Sequence, residues 1–600
     1  MNQSDVRPYP ELSVPAVAFG TLQGVVMTAS FVYIALKLGF GLAGSTVAAI
    51  MGFVVLRGIL RRRSIVENNI NQTVASGINT ASSGVVFTLP ALMLLSVGDP
   101  TLADIPVWPL IVAAIAGSLM GVVLIIPLRK QMVEFDRLRF PSGTAVATLL
   151  KSPGEGLAQG KLLVAGGLLA AGLTLLVNAG FVGEEVDIGG LVGLPAWAPF
   201  ALYVSAANLG AGLLSGRGGL PFLAGGILAY SIIAPAAVML GWVPAPDSLP
   251  AAQLEGFYAA ETYGSMLRPL GIGLLIGGAL AGVVSAAPAV VGAMKSLRSA
   301  AALAAEHGAS AEEVDPKWVG FGAVIAFFLL LLAAWLATPE LGIGTAVLVA
   351  VVGSAWLGLA GIIVAQATGQ TDISPLSGLA LIAVTLMYLL TGGNVTASIL
   401  IGVAVCIATS QCADMMQDLK TGHLVGSVPK EQQIAQLLVV WVGPFIAIGV
   451  LMLLWSSGPL DAAGHPTPGF GPDSVACIEG TAQCLAAPQA DVLRGIIEAL
   501  RDGDAAVDKY LAGATIGGAL SIFPIGGIAV LVGLAMYLPF SITLAYGIGC
   551  LVSMALERSY GASFIGRKLV PVAAGLIVGE ALTALAWNLV VLLRTFTGGA

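Results

Sequence analysis

PVWPLIVAAIAGSLMGVVLIIP, residues 106–127, runs for 22 positions without a charged side chain. A helix rises about 1.5 Å per residue, so this run is long enough to cross a hydrocarbon core about 30 Å thick. Arg129 and Lys130 follow it at once. Long apolar runs closed by basic residues are the pattern of a membrane span with its exit on the cytoplasmic side.

Working outward, similar runs fall at about 14–37, 40–60, 70–97, 161–182, 192–214, 219–241, 265–293, 318–337, 343–366, 373–391, 394–412, 434–456, 510–532, 539–556 and 569–593. The whole chain carries this character: 57% hydrophobic and 10% charged residues, mean hydropathy +0.94. A soluble domain carries about 25% charged residues. The 78 glycines fit the same class, because small residues let membrane helices approach closely. The sequence therefore predicts an all-α integral membrane protein of about fifteen or sixteen transmembrane helices. The N-terminus, MNQSDVRPYPELSVP, lacks the basic start and cleavage site of a signal peptide, so the first run is expected to stay as an anchor.

Basic residues set the expected orientation. Arg57, Arg61, Arg62, Arg63, Arg129, Lys130, Arg137 and Arg139 follow even-numbered segments, as do Arg217, Lys295, Arg298, Lys317, Lys420 and Lys430. Both termini are then expected in the cytoplasm, with the bacterial inner membrane as the location. Arg558, Arg567 and Lys568 fall on the outer side in this count, which calls for a re-entrant segment or a local failure of the rule. The longest outer loop, 457–509, holds Cys477 and Cys484, which could pair in an oxidising compartment.

The chain also repeats itself. GLLIGGAL (273–280) matches GLIVGEAL (575–582), QTVASG (72–77) resembles QT…LSG (370–378), 136–152 has a counterpart in 417–433, and GLPFLAGGIL (219–228) one in YLPFSITLAYGIG (537–549). The pairs keep one order, which predicts two tandem repeats, 1–314 and 315–600. An even number of about eight spans in each makes the repeats parallel, and repeat interfaces are where transporters commonly place their substrate sites.

Polar groups inside hydrocarbon are costly, so they mark function or a specific partner. Glu67-Asn68-Asn69-Ile70-Asn71-Gln72-Thr73 opens an apolar span with six side chains able to hydrogen-bond. A helix start at the interface accounts for Glu67, but less well for Asn71, Gln72 and Thr73. Gln370-Thr371-Asp372-Ile373-Ser374-Pro375 combines Asp and Ser with a helix-limiting Pro, which also suits an ordinary cap. Thr409 to Asp418 brings Gln411, Asp414 and Asp418 onto one helix, where a solvated helix end is the plainer reading of Asp418. Glu580 stands alone in AAGLIVGEALTALAW with no Lys or Arg in its own span. Such a carboxyl is expected to be neutral, paired or facing a wet cavity, and it ranks first for proton coupling, ahead of Asp372 and Glu67. Interhelical bonding is its plainer reading, and Gly278 occupies the matching position in the first copy.

No HExxH, phosphate loop or metal-ligand cluster is visible, and His307, His423 and His465 fall in expected loops. Catalytic residues, cofactor and resident metal are therefore not expected, and the chain reads as a transporter. Nucleic acid is not expected either, for want of a basic face.

ENNINQTVASG followed by GVVFTLPAL, FPSGTA (140–145), AD-MQDLKTGHLVG (413–426), YLPFSIT (537–543) and AAGLIVGEAL (573–582) together resemble the oligopeptide transporter family, nearer its prokaryotic and yellow-stripe-like members. The resemblance covers nearly the whole chain. It implies a proton-coupled symporter importing small peptides, glutathione-like thiols or metal chelates, on a tandem-repeat fold of about sixteen helices with short broken or re-entrant pieces. It implies a pathway on the segments matching 68–73 and 370–375. The expected substrate-binding set is Asn68, Asn69, Asn71, Gln72, Thr73, Gln370, Thr371, Asp372, Ser374, Gln411 and Tyr537. Partners expected are a small-molecule or peptide substrate, protons and the lipid bilayer, with a homodimer left open. A channel or facilitator is the alternative, and a membrane ion-pumping phosphohydrolase a remoter one.

Overall fold

A computed structural model describes residues 11–39, 44–62, 64–102, 104–151, 156–183, 185–195, 197–243, 254, 257–258, 261–285, 312–371, 374, 376–459, 467–478, 484–502, 507–523 and 528–597. The chain is an all-α, multi-span membrane protein. Among the described residues, ten helices are long and apolar enough to cross a membrane, eleven if the bent pair Pro429–Val439 and Val442–Trp455 counts as one. The other apolar segments form shorter helices, at Gly44–Ile59, Gly378–Leu390, Val507–Leu520, Ile528–Tyr537 and Arg268–Ser285. The two segments expected at 192–214 and 219–241 instead share one helical run, Ala206–Met239, preceded by a two-stranded hairpin, Glu185–Asp187 against Ala201–Tyr203.

The chain packs as two compact units, each drawing on both halves of the sequence. The first holds residues 1–32, 41–160 and 285–452, the second 33–40, 161–284 and 453–600.

In the first unit, helix Val395–Val425 is the most enclosed element. Asn394 starts it by accepting a hydrogen bond from the Ala397 N–H at 2.8 Å, and Gly426 ends it at φ +86°, a conformation that suits glycine. Helix Val107–Ile125 lies against it through glycines. A Cβ added to Gly117 would come within 2.3 Å of the Ala404 carbonyl oxygen, and one on Gly121 within 2.5 Å of that of Ala408. In hydrocarbon such close packing replaces the hydrophobic effect as the source of helix association.

In the second unit, the run 206–233 doubles back on itself. Asn208 donates to the Ile542 carbonyl at 2.7 Å, Gly212 lies against Tyr546, and Gly216, at φ +50°, reaches Ser553. Beyond this tip Gly219 meets Tyr546 again and Gly226 meets Thr543. The chain has gone down helix Phe540–Tyr560 and returned. Residues 507–537 do the same along helix Arg268–Ser285: Gly513 meets Gly273 and Gly517 meets Gly278, then Ala529 meets Gly278 and Gly533 meets Gly271. Both hairpins open at the end of the unit that holds Tyr230 and Tyr537. Arg217 and Arg558 line one surface pit at the opposite end of helix 540–560. The hairpin at 507–537 removes one crossing from the expected count before Arg558, so that by this count Arg558 falls on the same side as Arg217, with which it shares the pit.

Candidate functional site

Helix Ile65–Asn79 carries the first cluster. Ser64 caps it, its side chain accepting from the Glu67 N–H at 3.3 Å, and every residue from Glu67 to Asn79 is buried. Gln72 donates to an Asp418 carboxylate oxygen that also accepts from Ser45 at 3.1 Å. Gln432 donates to Thr73 at 3.0 Å and to the Asp418 carbonyl at 2.9 Å. Gln436 donates to Gln411 at 2.9 Å, and Gln411 donates to the Gly77 carbonyl at 2.8 Å. Asn71 donates to Gln23 at 3.2 Å, Asn68 to the Ala49 carbonyl at 3.2 Å, and Asn69 to Ser427 at 3.1 Å. Asp414, one turn before Asp418, accepts from Thr80 at 2.7 Å.

The structure thus brings together Asn68, Asn69, Asn71, Gln72, Thr73 and Gln411 in one buried amide-rich network. It is not saturated by the protein. Asn71 Oδ1, Gln72 Oε1, Asp418 Oδ2, Gln432 Oε1 and Gln436 Oε1 are buried acceptors without a hydrogen-bond partner. A buried acceptor left unpaired costs about 1–3 kcal/mol, so a patch of them has an affinity for donors. Asp418, read from the sequence as a solvated helix end, is buried at its centre. Glu67 lies to one side, fixed by Arg62 at 2.6 Å and by the Ser13 hydroxyl.

Of the other expected segment, Asp372 and Pro375 fall outside the described residues, and Gln370 and Thr371 end a helix there without described side chains. Ser374 shares a hydrogen bond with Thr368 at 2.6 Å.

Of the three states expected for Glu580, the structure gives the paired one. Its own span offers no cation, but Lys37, from helix Val14–Leu38, reaches Oε1 at 2.8 Å, with both side chains buried. Ser205 donates to the same carboxylate at 2.8 Å, and the Ala207 N–H donates to Oε2 at 2.9 Å. Glu580 is therefore a paired, fully bonded carboxylate in this conformation. The Lys37 ammonium also lies 4.8 Å from the centre of the Tyr203 ring and 5.6 Å from that of Tyr33. These residues line a narrow cavity together with Thr174 and Trp587.

Tyr203 also borders a larger chamber of about 360 Å³, which takes in Tyr537. Tyr230, Tyr263, Phe540 and Glu185 complete its polar and aromatic wall, beside the disulfide joining Cys477 to Cys484. Tyr537 was expected in the site from the YLPFSIT motif, which also carries Phe540; Tyr203, Tyr230, Tyr263 and Glu185 were not, because each sits in its own segment without a motif. Lys37 did leave a signal, a lone basic residue at the end of a span that the orientation puts outside. Among the described residues no group of three or more His, Cys, Asp or Glu is placed to hold a metal ion.

The sequence was compared with known families and proteins. The profile of the family described as OPT oligopeptide transporter protein matches residues 11–591. A protein of Haemophilus influenzae named "Putative oligopeptide transporter" is 29% identical over 628 aligned residues, covering 95% of this chain and 94% of that one. An iron-phytosiderophore transporter of Oryza sativa subsp. japonica is 25% identical over 511 residues, 75% of this chain and 73% of its own. A metal-nicotianamine transporter of Arabidopsis thaliana is 26% identical over 359 residues, 55% and 53% of the two chains.

Proposed function

The chain belongs to the OPT oligopeptide transporter family, and from that premise we propose that it is a proton-coupled symporter importing a small peptide, a peptide-like thiol or a metal chelate. A transporter of this family needs a polar site at membrane depth. The observation that carries the reading is the buried amide network of Asn71, Gln72, Gln432 and Gln436 around Asp418, with acceptors the protein leaves unpaired. Peptides and amino-acid chelates are rich in N–H and ammonium donors, which such acceptors recognise. The substrates for which these relatives are named, phytosiderophore and nicotianamine complexes of metals, belong to the same chemical range.

Import places the chamber lined by Pro472, Cys477 and Ala486 on the outer face of a bacterial inner membrane, with the N-terminus in the cytoplasm. With one crossing fewer before Arg558, helix Val570–Thr597 ends on the outer face rather than at the expected cytoplasmic C-terminus. The proposed substrate set keeps Asn68, Asn69, Asn71, Gln72, Thr73, Gln370, Thr371, Asp372, Ser374, Gln411 and Tyr537. For coupling, Glu580 is placed first: its pairing with Lys37 ties protonation to separation of the two helices that carry them. Asp372 and then Glu67 follow.

The test is reconstitution in liposomes with an imposed inward proton gradient. Uphill accumulation of di- to hexapeptides, glutathione or metal–nicotianamine that collapses with a protonophore supports symport. Downhill flux that ignores the proton gradient would replace symport with a facilitator.

A further inference from the structure

We propose that the aromatic chamber of the second unit is a binding site for the α-ammonium group of a short peptide, with Glu185 supplying the counter-charge. The inference deepens the transport reading above by giving one subsite of the cargo a chemistry.

Three observations carry it. First, the walls are rich in aromatic rings, Tyr203, Tyr230, Tyr263, Tyr537 and Phe540. Tyr230 donates its hydroxyl to the Leu538 carbonyl and Tyr263 donates its own to the Tyr537 carbonyl, each at 3.0 Å. With the hydroxyls tied to backbone, these rings are held in place, and Phe540 packs against Tyr230 with ring centres 6.0 Å apart. Aromatic rings attract a cation placed over a face through their quadrupole, and fixed rings do so without an ordering cost. Second, Glu185 is the acidic side chain among the described lining residues, none of which is Lys or Arg. Ser541 orients that carboxylate through a 2.5 Å hydrogen bond. An anion entering here would meet aromatic rings and a carboxylate, so the site discriminates against it.

Third, the protein already uses one of these rings for an ammonium ion. Lys37 Nζ lies 4.8 Å from the centre of Tyr203, a residue that borders both the chamber and the cavity holding the Lys37–Glu580 pair. Size then limits the ligand. A volume of about 360 Å³ sits at the small end of the ~300–1,000 Å³ range of ligand pockets, which suits two or three small residues rather than a long peptide.

The experiment measures binding by isothermal calorimetry on the purified full chain, with trialanine and N-acetyl-trialanine as probes. Acetylation removes the charge and leaves the rest. Trialanine should bind at least ~10-fold more tightly than its acetylated form, and Glu185→Gln should erase that preference. Glu185 is exposed, so its melting temperature should not change, and that measurement separates lost recognition from lost folding. Equal binding of the two probes, binding of neither, or an undiminished preference in Glu185→Gln overturns the proposal. Uptake assays keep the two readings apart. Selective binding without uptake would sink symport and leave the subsite standing. Uphill uptake indifferent to acetylation would sink the subsite and leave symport standing.

Discussion

Lys37 and Glu580 lie 543 positions apart in sequence and 2.8 Å apart in the fold, each buried and each the other's counter-ion. Removing one member of such a pair is far more damaging than removing both, because the survivor is left charged and unpaired in a low-dielectric site. Glu580→Gln should lower stability by about 3–5 kcal/mol, while Lys37→Met with Glu580→Leu should regain most of it. Thermal melting of the purified variants decides this, and a double variant no better than the single one would mean the pair is not what holds these helices.

The same carboxylate bears on coupling. If Glu580 carries the proton, Glu580→Gln retains substrate counterflow in liposomes but loses gradient-driven accumulation across pH ~5 to 8. Uphill uptake at the unaltered level throughout that range moves the coupling role to Asp372.

Asp418 anchors the amide network of the first unit, accepting from Gln72 and Ser45. Asp418→Ala strands the Gln72 amide donor in a buried site, at about 1–3 kcal/mol. Uptake should fall at least ~10-fold, against little change for Asp136→Ala at the surface. Normal uptake by Asp418→Ala would place the substrate path elsewhere.

Arg217 and Arg558 border one pit, so they share a side of the membrane whatever that side is. Arg217→Cys and Arg558→Cys should react alike with a membrane-impermeant maleimide: blocked in intact cells, labelled in inverted vesicles. Opposite labelling of the two would contradict the hairpin at 507–537.

The parallel tandem repeat is a proposal with a packing correlate. Gly533 meets Gly271, Leu274 and Leu275, and Gly210 meets Ala573, Leu576 and Ile577, each member of the second triple lying 302 positions after its counterpart (271 to 573, 274 to 576, 275 to 577). Gly277 and Gly579 stand at the same spacing. A Cβ would come within 2.0 Å of the Ala514 carbonyl oxygen at Gly277 and within 2.3 Å of the Gly167 carbonyl oxygen at Gly579. Gly277→Ala and Gly579→Ala should therefore cost similar amounts, about 1–3 kcal/mol each, read as matched drops in melting temperature. Loss at one site and tolerance at the other would argue against equivalent positions.

The stripe at 67–73 was legible because amide side chains interrupt an apolar run, and that contrast is local. Its partners Gln432 and Gln436 were not, since PKEQQIAQ reads as a solvated helix and only packing buries it. The Lys37–Glu580 pair escaped for a different reason: neither residue's neighbours predict a contact across the length of the chain. The hairpin at 206–233 was hidden by its tip. Ser215 to Gly219 looks like a loop between two full spans, and only the double contact with Tyr546 shows that the chain turns back.

One consequence of that hairpin concerns the carboxylate at its mouth. Helix Ala206–Ser215 begins where Ser205 and the Ala207 N–H grip Glu580. The first turn of a helix carries the positive end of its macrodipole, equivalent to roughly half an elementary charge. Glu580 therefore answers to two positive sources on different elements, an ammonium ion on one helix and a dipole on another. Were Lys37 to withdraw, the dipole and its two donors would remain, and the carboxylate would lose part of its compensation rather than all of it. The position then behaves as a graded electrostatic well, in which a moving ammonium ion sets the depth and the fixed hairpin sets the floor.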